Sequence, residues 1–312
     1  MNPSIGTPAL WAGFIGLVML FLAVDLGIFH RRDEPISTRS ALGWTAVWVA
    51  LALAFNALVG HWFGSGHAAE FLTGYLIEKS LSVDNLFVFL VIFTTLAIPA
   101  RLQHRVLFWG ILTALVLRGA MIFAGTALLA RFHWLLYVFG AFLGLTGLKL
   151  LVTHQVEEPH PERSALFRLV RRIIPATSRM DGHHFLVREG GRWVATPLLL
   201  ALVLIEISDV VFALDSIPAI FGVTLDPFIV FTSNIFAILG LRSLYFALSS
   251  AIDRFSRLRQ GLALVLIFIG AKMLVAPWLP IGQGISLGVV AGLLAGSLAA
   301  SGLWPVKGGA GP

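Results

Sequence analysis

The sequence has no cysteine. That absence excludes disulfides, thiolate metal sites and thiol catalysis. Charge is almost as scarce. Only 12% of the 312 residues are Asp, Glu, Lys or Arg, against about 25% in soluble domains. So little charge cannot cover the surface of an ordinary water-soluble globule. Disorder is excluded from the other side, because 58% of residues are hydrophobic and mean hydropathy is +0.89, where disorder needs low hydrophobicity. Missing too are HExxH and paired metal-binding histidines on an apolar run, so an intramembrane enzyme has little support and the chain is not expected to be one.

What the sequence does have is long apolar runs. A helix needs roughly 20 apolar residues to cross a bilayer, and nine runs qualify: 8–29, 40–62, 70–98, 106–129, 133–153, 196–221, 227–249, 260–279 and 283–304. They do not alternate, which argues against a β-barrel. The expected fold is all-α: one polytopic transmembrane bundle over 1–312, with a cytoplasmic loop at 154–194 and a disordered tail at 305–312. The first run lacks a basic leader and contains Asp25, so it is not read as a cleaved signal peptide. Within the loop, Ser164–Ile174 has an amphipathic pattern, but the simpler reading is a solvated basic loop, its histidines (His154, His160, His183, His184) included.

The net charge of +6 needs no nucleic acid to explain it. The connections after spans 1, 3, 5 and 7, with the tail, hold sixteen Lys and Arg, and the opposite side holds only Arg131. The positive-inside rule then places the N-terminus outside and the C-terminus in the cytoplasm.

The other five basic residues fall inside spans: Lys79, Arg118, Lys149, Arg242 and Lys272. Six acids join them: Asp25, Glu78, Asp84, Glu206, Asp209 and Asp215. Each would cost about 2.5–3.5 kcal/mol at mid-bilayer even on the lenient insertion scale. They are expected to face the bundle interior, pair, or bind an ion. Buried salt bridges are the plain alternative, weaker for the acids because they outnumber the bases and cluster on two spans.

Those spans read Glu78-Lys-Ser-Leu-Ser-Val-Asp-Asn-Leu-Phe and Asp209-Val-Val-Phe-Ala-Leu-Asp-Ser-Ile-Pro. Glu78 matches Asp209, Asp84 matches Asp215, and Asn85 matches Ser216. Downstream, Leu117-Arg118 parallels Leu241-Arg242, and Gly147-Leu-Lys149 parallels Gly270-Ala-Lys272. Arg118 follows Asp84 by 34 residues and Arg242 follows Asp215 by 27; Arg to Lys is 31 and 30. Spans 3–5 and 6–8 thus look like one three-helix unit used twice in opposite orientation, an arrangement that transporters use to build a midplane site.

Glu78 and Asn85 lie nearly on one line of a helix, as do Asp209 and Ser216. Asp84 and Asp215 point about 120° away. Pro218, which cannot bond to the Leu214 carbonyl, is expected to unwind the sixth span locally and let oxygens converge. Carboxylates, amide or hydroxyl oxygens and freed carbonyls are hard ligands that suit Mn²⁺, Mg²⁺ or Ca²⁺. Acids that lose a cation can take up protons instead, which gives antiport. Asn56 and Asn234 either bond across helices or add oxygen ligands. Ser80, Ser82 and Ser208 read as helix-packing residues. Asp25 has an ion-pair and a proton-pathway reading of equal weight. Arg118 and Arg242 most simply neutralise acids in the empty state.

These segments, with Thr232-Ser-Asn-Ile-Phe-Ala-Ile-Leu-Gly-Leu-Arg-Ser-Leu-Tyr-Phe246, resemble the signature segments of the TerC/Alx family, and the similarity runs from about Asp25 to Val275. The resemblance implies a multi-pass bacterial inner-membrane protein of the LysE-like transporter group, linked to tellurite resistance, with several members taken to export Mn²⁺. Carried over by position, Glu78, Asp84, Asn85, Glu206, Asp209, Asp215 and Ser216 line the ion path. A carboxylate cluster would repel an oxyanion, so the tellurite label reads as an indirect phenotype. The leading expectation is a secondary transporter exporting a divalent cation, Mn²⁺ favoured, with no permanently bound cofactor. Its partners are the metal ion and the bilayer, with a homo-oligomer or another membrane protein left open. The alternative is a membrane scaffold that supports maturation or metalation of secreted proteins.

Overall fold

The computed structural model describes residues 4–29, 38–152, 175–177, 180, 182–189, 191–248, 258–279 and 281–303. The described chain is helical: α1 (Pro8–Phe29), α2 (Thr38–Phe63), α3 (Ser65–Thr95), α4 (Ala100–Arg131), α5 (Leu135–Val152), α6 (Pro197–Phe221), α7 (Pro227–Leu239), α8 (Leu241–Leu248), α9 (Leu258–Val275) and α10 (Gln283–Leu303). Proline opens α1, α6 and α7, where its missing N–H would have had no intrahelical partner. Asp226 caps α7, accepting from the Phe228 and Ile229 amides at 2.8 and 3.4 Å. The same carboxylate ties down the chain start, accepting from Ser4 Oγ at 2.7 Å and the Ile5 amide at 2.8 Å.

Six helical stretches among the described residues are long and apolar enough to cross a membrane: those of α2, α4, α5, α6, α7 with α8, and α10. The three other expected spans also form helices. α1 and α9 hold shorter apolar stretches, Pro8–Val24 and Gln260–Val275. α3 is long, but Glu70, Glu78, Lys79 and Asp84 interrupt its apolar character. The chain is a helical membrane protein.

α3 lies at the centre, packed against α2, α6, α7 and α10, and α4 closes over α6 and α7. α7 is buried on all sides from Phe228 to Leu239 apart from Phe231, and its polar residues are limited to Thr232, Ser233 and Asn234. Its aromatic side meets α1, α2 and α3, where Phe14, Phe55, Phe71 and Phe236 have ring centroids 5.0–6.0 Å apart. Val116, Leu145 and Val152 are about two-thirds exposed (68%, 67% and 72%); in a bilayer such residues meet lipid rather than water.

The most extensive helix pair is α5 with α9. A Cβ on Gly147 would come within 2.6 Å of the Ala263 carbonyl oxygen, and one on Gly270 within 2.5 Å of the Gly140 carbonyl oxygen. Glycine is required at both points because only bare backbone fits so close.

Two sequence expectations change. The expected single helix over 227–249 breaks at Gly240 (φ −86°, ψ 4°) into α7 and α8. Conversely, the unwinding expected at Pro218 is absent: α6 runs through it to Phe221, because proline's fixed φ is helical and the helix ends within the next turn.

The described end of the expected loop at 154–194 is not featureless. Leu186–Glu189 (β1) pairs antiparallel with Arg192–Ala195 (β2). Gly191, at φ +83°, makes the turn. Gly190-Gly191 between apolar–polar runs is a two-residue hairpin signal that the surrounding basic loop obscured. The hairpin leads into α6, where the Thr196 hydroxyl donates to the His184 carbonyl at 2.8 Å, and Arg105 of α4 lies over the Phe185 ring at 5.5 Å. The segment 164–174 and the tail 305–312 lie outside the described residues.

Candidate functional site

Four helices meet around Arg118. It sits well inside α4, among alanine, glycine and aliphatic residues, and is 1% exposed. A guanidinium in such surroundings must be paired, since an unpaired buried charge costs several kcal/mol. Two acids supply the pairing. Asp209 of α6 accepts in bidentate fashion, from Nε at 3.0 Å and Nη2 at 2.6 Å. Glu78 of α3 accepts from Nη1. Asn234 of α7 completes the ring: its Oδ1 accepts from Arg118 Nη1 at 3.2 Å, and its Nδ2 donates to Glu78 Oε2 at 3.1 Å. Glu78 is 1% exposed, Asp209 6% and Asn234 0%. One guanidinium thus joins two carboxylates, from two helices, that occupy matching places in the two similar sequence segments.

Beside this cluster lies a cavity of about 20 Å³, room for roughly one water molecule. Arg118, Asp209, Glu206 and Arg242 supply its polar wall, with Gly110 and Ala114 among the apolar residues. Long side chains on a helix lean toward its N-terminus, so the Arg118 stem runs along the face that carries Ala114 and Gly110. Glu206, one turn before Asp209, is unlike its neighbours. Both its carboxylate oxygens are buried without a hydrogen-bond partner among the described residues. The Thr113 hydroxyl lies close to it but donates its one proton to the Trp109 carbonyl at 2.6 Å.

The matched pair Asn85 and Ser216 is each 1% exposed, and Asn85 Oδ1 and Ser216 Oγ are both without a hydrogen-bond partner among the described residues. Ser82 Oγ and Asn56 Oδ1 share that condition, whereas Ser80 and Ser208 donate to carbonyls of their own helices. Asp84 and Asp215 belong to α3 and α6, and Asp25 to α1, but their side chains lie outside the described set. Among the described residues no three His, Cys, Asp or Glu are grouped to hold a metal; Glu78 and Asp209 are instead shared with Arg118.

The bases expected inside spans separate into different roles. Lys79, next to Glu78, turns to α7 and donates to the Ala237 carbonyl at 3.1 Å, at the break before Gly240. A Cβ on Gly240 would lie 2.9 Å from Lys79 Nζ and 3.1 Å from Trp48 Cβ. Lys149 and Lys272 occupy matching positions near the ends of α5 and α9, yet Lys149 is exposed and Lys272 is 8% exposed. Lys149 therefore departs from the inward orientation expected of it: it sits in the last turn of α5, where a lysine can reach the membrane surface. Lys272 lies within electrostatic reach of Glu70. Glu70 escaped the count of intramembrane acids because it falls on the edge of its span. It accepts from Thr224 Oγ1 at 2.9 Å and contacts His67 Nδ1 at 3.2 Å, tying the start of α3 to the end of α6. An acid opening a span three residues after a histidine, itself preceded by Gly-Ser-Gly, was the available signal.

Comparison with known proteins agrees with this architecture. The profile of the Integral membrane protein TerC family matches residues 63–306. The membrane protein STKORF319 of Myxococcus xanthus is 60% identical over 299 residues, covering 96% of this chain and 93% of its own. A protein of Escherichia coli strain K12, named as a proposed membrane-bound redox modulator, Alx, is 50% identical over 300 residues, covering 93% of each chain. A membrane protein of Rickettsia felis is 40% identical over 292 residues, covering 93% and 96%. No solved structure matches the chain.

Proposed function

The chain belongs to the TerC family of integral membrane proteins, and from that premise we propose that it is a secondary transporter, not an enzyme, that exports a divalent metal cation, Mn²⁺ first, in exchange for protons. The observation that carries the reading is the pair of buried carboxylates, Glu78 and Asp209, one from each similar segment, held mid-helix on a single guanidinium. A purely structural ion pair needs one acid per base. Two acids on one arginine, a third acid without a hydrogen bond among the described residues, and Asp84 and Asp215 within two turns make an excess of negative charge that a cation would neutralise.

All nine apolar runs cross the inner membrane in this reading, N-terminus outside and C-terminus in the cytoplasm, as an inverted repeat of α3–α5 and α6–α9. Packing supports the repeat. α3 crosses α7 much as α6 crosses α4. Gly147 matches Gly270 in sequence, so Ala263, seven residues before Gly270, matches Gly140, seven before Gly147. Gly147 approaches Ala263 and Gly270 approaches Gly140, a reciprocal contact of the kind a two-fold axis generates. The break at Gly240 is the discontinuous helix that such folds use near their sites. Glu78, Asp209, Asp84 and Asp215, with the unpaired oxygens of Asn85 and Ser216, are an all-oxygen donor set suited to Mn²⁺, Mg²⁺ or Ca²⁺.

Purified protein in liposomes, given Mn²⁺, Mg²⁺, Ca²⁺ and Zn²⁺ in turn across a pH gradient, tests this. Mn²⁺ flux that moves protons the other way, abolished by Asp84→Asn or Asp215→Asn, is the expected result; unchanged flux in both variants overturns it. The name of the Escherichia coli relative suggests a redox role, but a chain without cysteine has no thiol couple with which to perform one. No flux from pure protein, with stable capture of a membrane partner, is the result that favours a scaffold.

A further inference from the structure

The proposed cation and Arg118 need the same two carboxylates. For a cation to reach Glu78 and Asp209, the guanidinium must leave them, and a buried guanidinium cannot leave without another acid to receive it. Glu206 is that acid. It stands on the wall of the same cavity as Arg118, and neither carboxylate oxygen has a hydrogen-bond partner among the described residues. The cavity that both line is about 20 Å³. It exists because α4 carries Gly110 here, where an added Cβ would lie 3.5 Å from Glu206 Oε1, and Ala114 a turn further on.

Resting on the transport reading, we infer that Glu206 is a second seat for the Arg118 guanidinium rather than a cation ligand. Arg118 is a tethered cation: on Glu78 and Asp209 it fills the site, and on Glu206 it vacates it. The site is then never left as bare carboxylates, because the arriving cation and the arginine exchange places. Asn234, which bonds both Arg118 and Glu78, positions the first seat. Arg242 also lines the cavity, a like charge that repels the moving guanidinium and limits how far it travels.

The test is a double-mutant cycle on Mn²⁺ binding to full-length protein in nanodiscs, read from the electron paramagnetic resonance signal of unbound Mn²⁺. Glu206→Gln removes the second seat and weakens binding by about tenfold, whereas Arg118→Gln removes the competitor and tightens it by about tenfold. The decisive species is Arg118→Gln with Glu206→Gln. With no arginine to seat, Glu206 no longer matters, and the double variant binds as tightly as Arg118→Gln alone. If the double variant instead binds about tenfold more weakly than Arg118→Gln, Glu206 is a ligand and the inference is overturned. Gly110→Leu fills the cavity without changing any charge, which covers the case in which Arg118→Gln fails to fold. It is expected to weaken Mn²⁺ binding as much as Glu206→Gln does, and unchanged binding in Gly110→Leu overturns the inference. Wild-type protein that binds no Mn²⁺, Mg²⁺ or Ca²⁺ overturns the transport reading and this inference with it. Wild-type binding accompanied by additive effects overturns only the exchange of places.

Discussion

Arg118 and Arg242 hold the same place in two similar segments, each after a leucine, but the helices that carry them differ. α4 runs unbroken past Arg118 from Ala100 to Arg131. The chain that carries Arg242 breaks two residues before it, at Gly240. The residue matching Gly240 is Val116, and it is 68% exposed, facing outward with nothing to avoid. Gly240 instead faces Lys79 and Trp48. One copy of the motif has become a clamp between α3 and α6. In the other, the helix stops, its Ala237 carbonyl is taken by Lys79, and the arginine opens a new short helix. The lesson is that a repeat can keep its charges while the backbone around them diverges, and that what diverges is fixed by the neighbouring helix. Lys79 closes one side because it stands beside Glu78, which engages the other.

The sharpest way to break this comparison is to remove the clamp. Arg118→Leu leaves Glu78 and Asp209 without their common partner and should lower stability in detergent by about 3–5 kcal/mol, seen as a large drop in unfolding temperature. A loss no greater than that of a surface substitution would mean the clamp is not holding the helices. Next comes the other side of α3. Lys79→Met removes a charged donor from the Ala237 carbonyl and should cost about 1.5–3 kcal/mol, with amide exchange rising at 237–241 and not at 113–117. Gly240→Leu should cost about 1–3 kcal/mol through overpacking against Trp48, while Val116→Leu at the matching position should leave the unfolding temperature unchanged. Equal effects at the two sites would erase the asymmetry. The smallest effect is expected at the matched lysines: Lys149→Ala should be silent in thermal unfolding, and Lys272→Ala should not, because only Lys272 is enclosed.

Much of this was written in the sequence. The shortage of charge identified a membrane bundle, and the positions of the remaining charges singled out α3, α4 and α6 as the helices that meet. Residue spacing cannot give the rotation of each helix about its axis. That rotation decides that Glu78 and Asp209 share Arg118 while Glu206, a turn away, is left without a hydrogen bond among the described residues. The break at Gly240 was hidden for a related reason. No proline marks it, and the residues that impose it, Trp48 and Lys79, are distant in sequence. Pro218 gave the opposite error, since a breaker by composition proved harmless near a helix end. The matched lysines looked alike in sequence because burial depends on what packs beside them. The Gly190-Gly191 hairpin signal was legible and was outweighed by the basic loop around it.

The order in which the clamp assembles follows from its spacing along the chain. Arg118 lies 40 positions after Glu78 and 91 before Asp209. At a synthesis rate of about 5–20 residues per second, Asp209 emerges roughly 5–20 s after Arg118. During that interval α3 and α4 are the only members of the clamp that have been made. A guanidinium entering the bilayer beside an already present carboxylate is electrically neutral as a pair, so α3 and α4 can be inserted as a hairpin without waiting for α6. The acid that arrives last meets a positive charge that is already half satisfied. Biogenesis, not only the finished fold, therefore depends on Glu78 preceding Arg118, and exchanging the order of these two helices would strand the arginine in lipid before any partner existed.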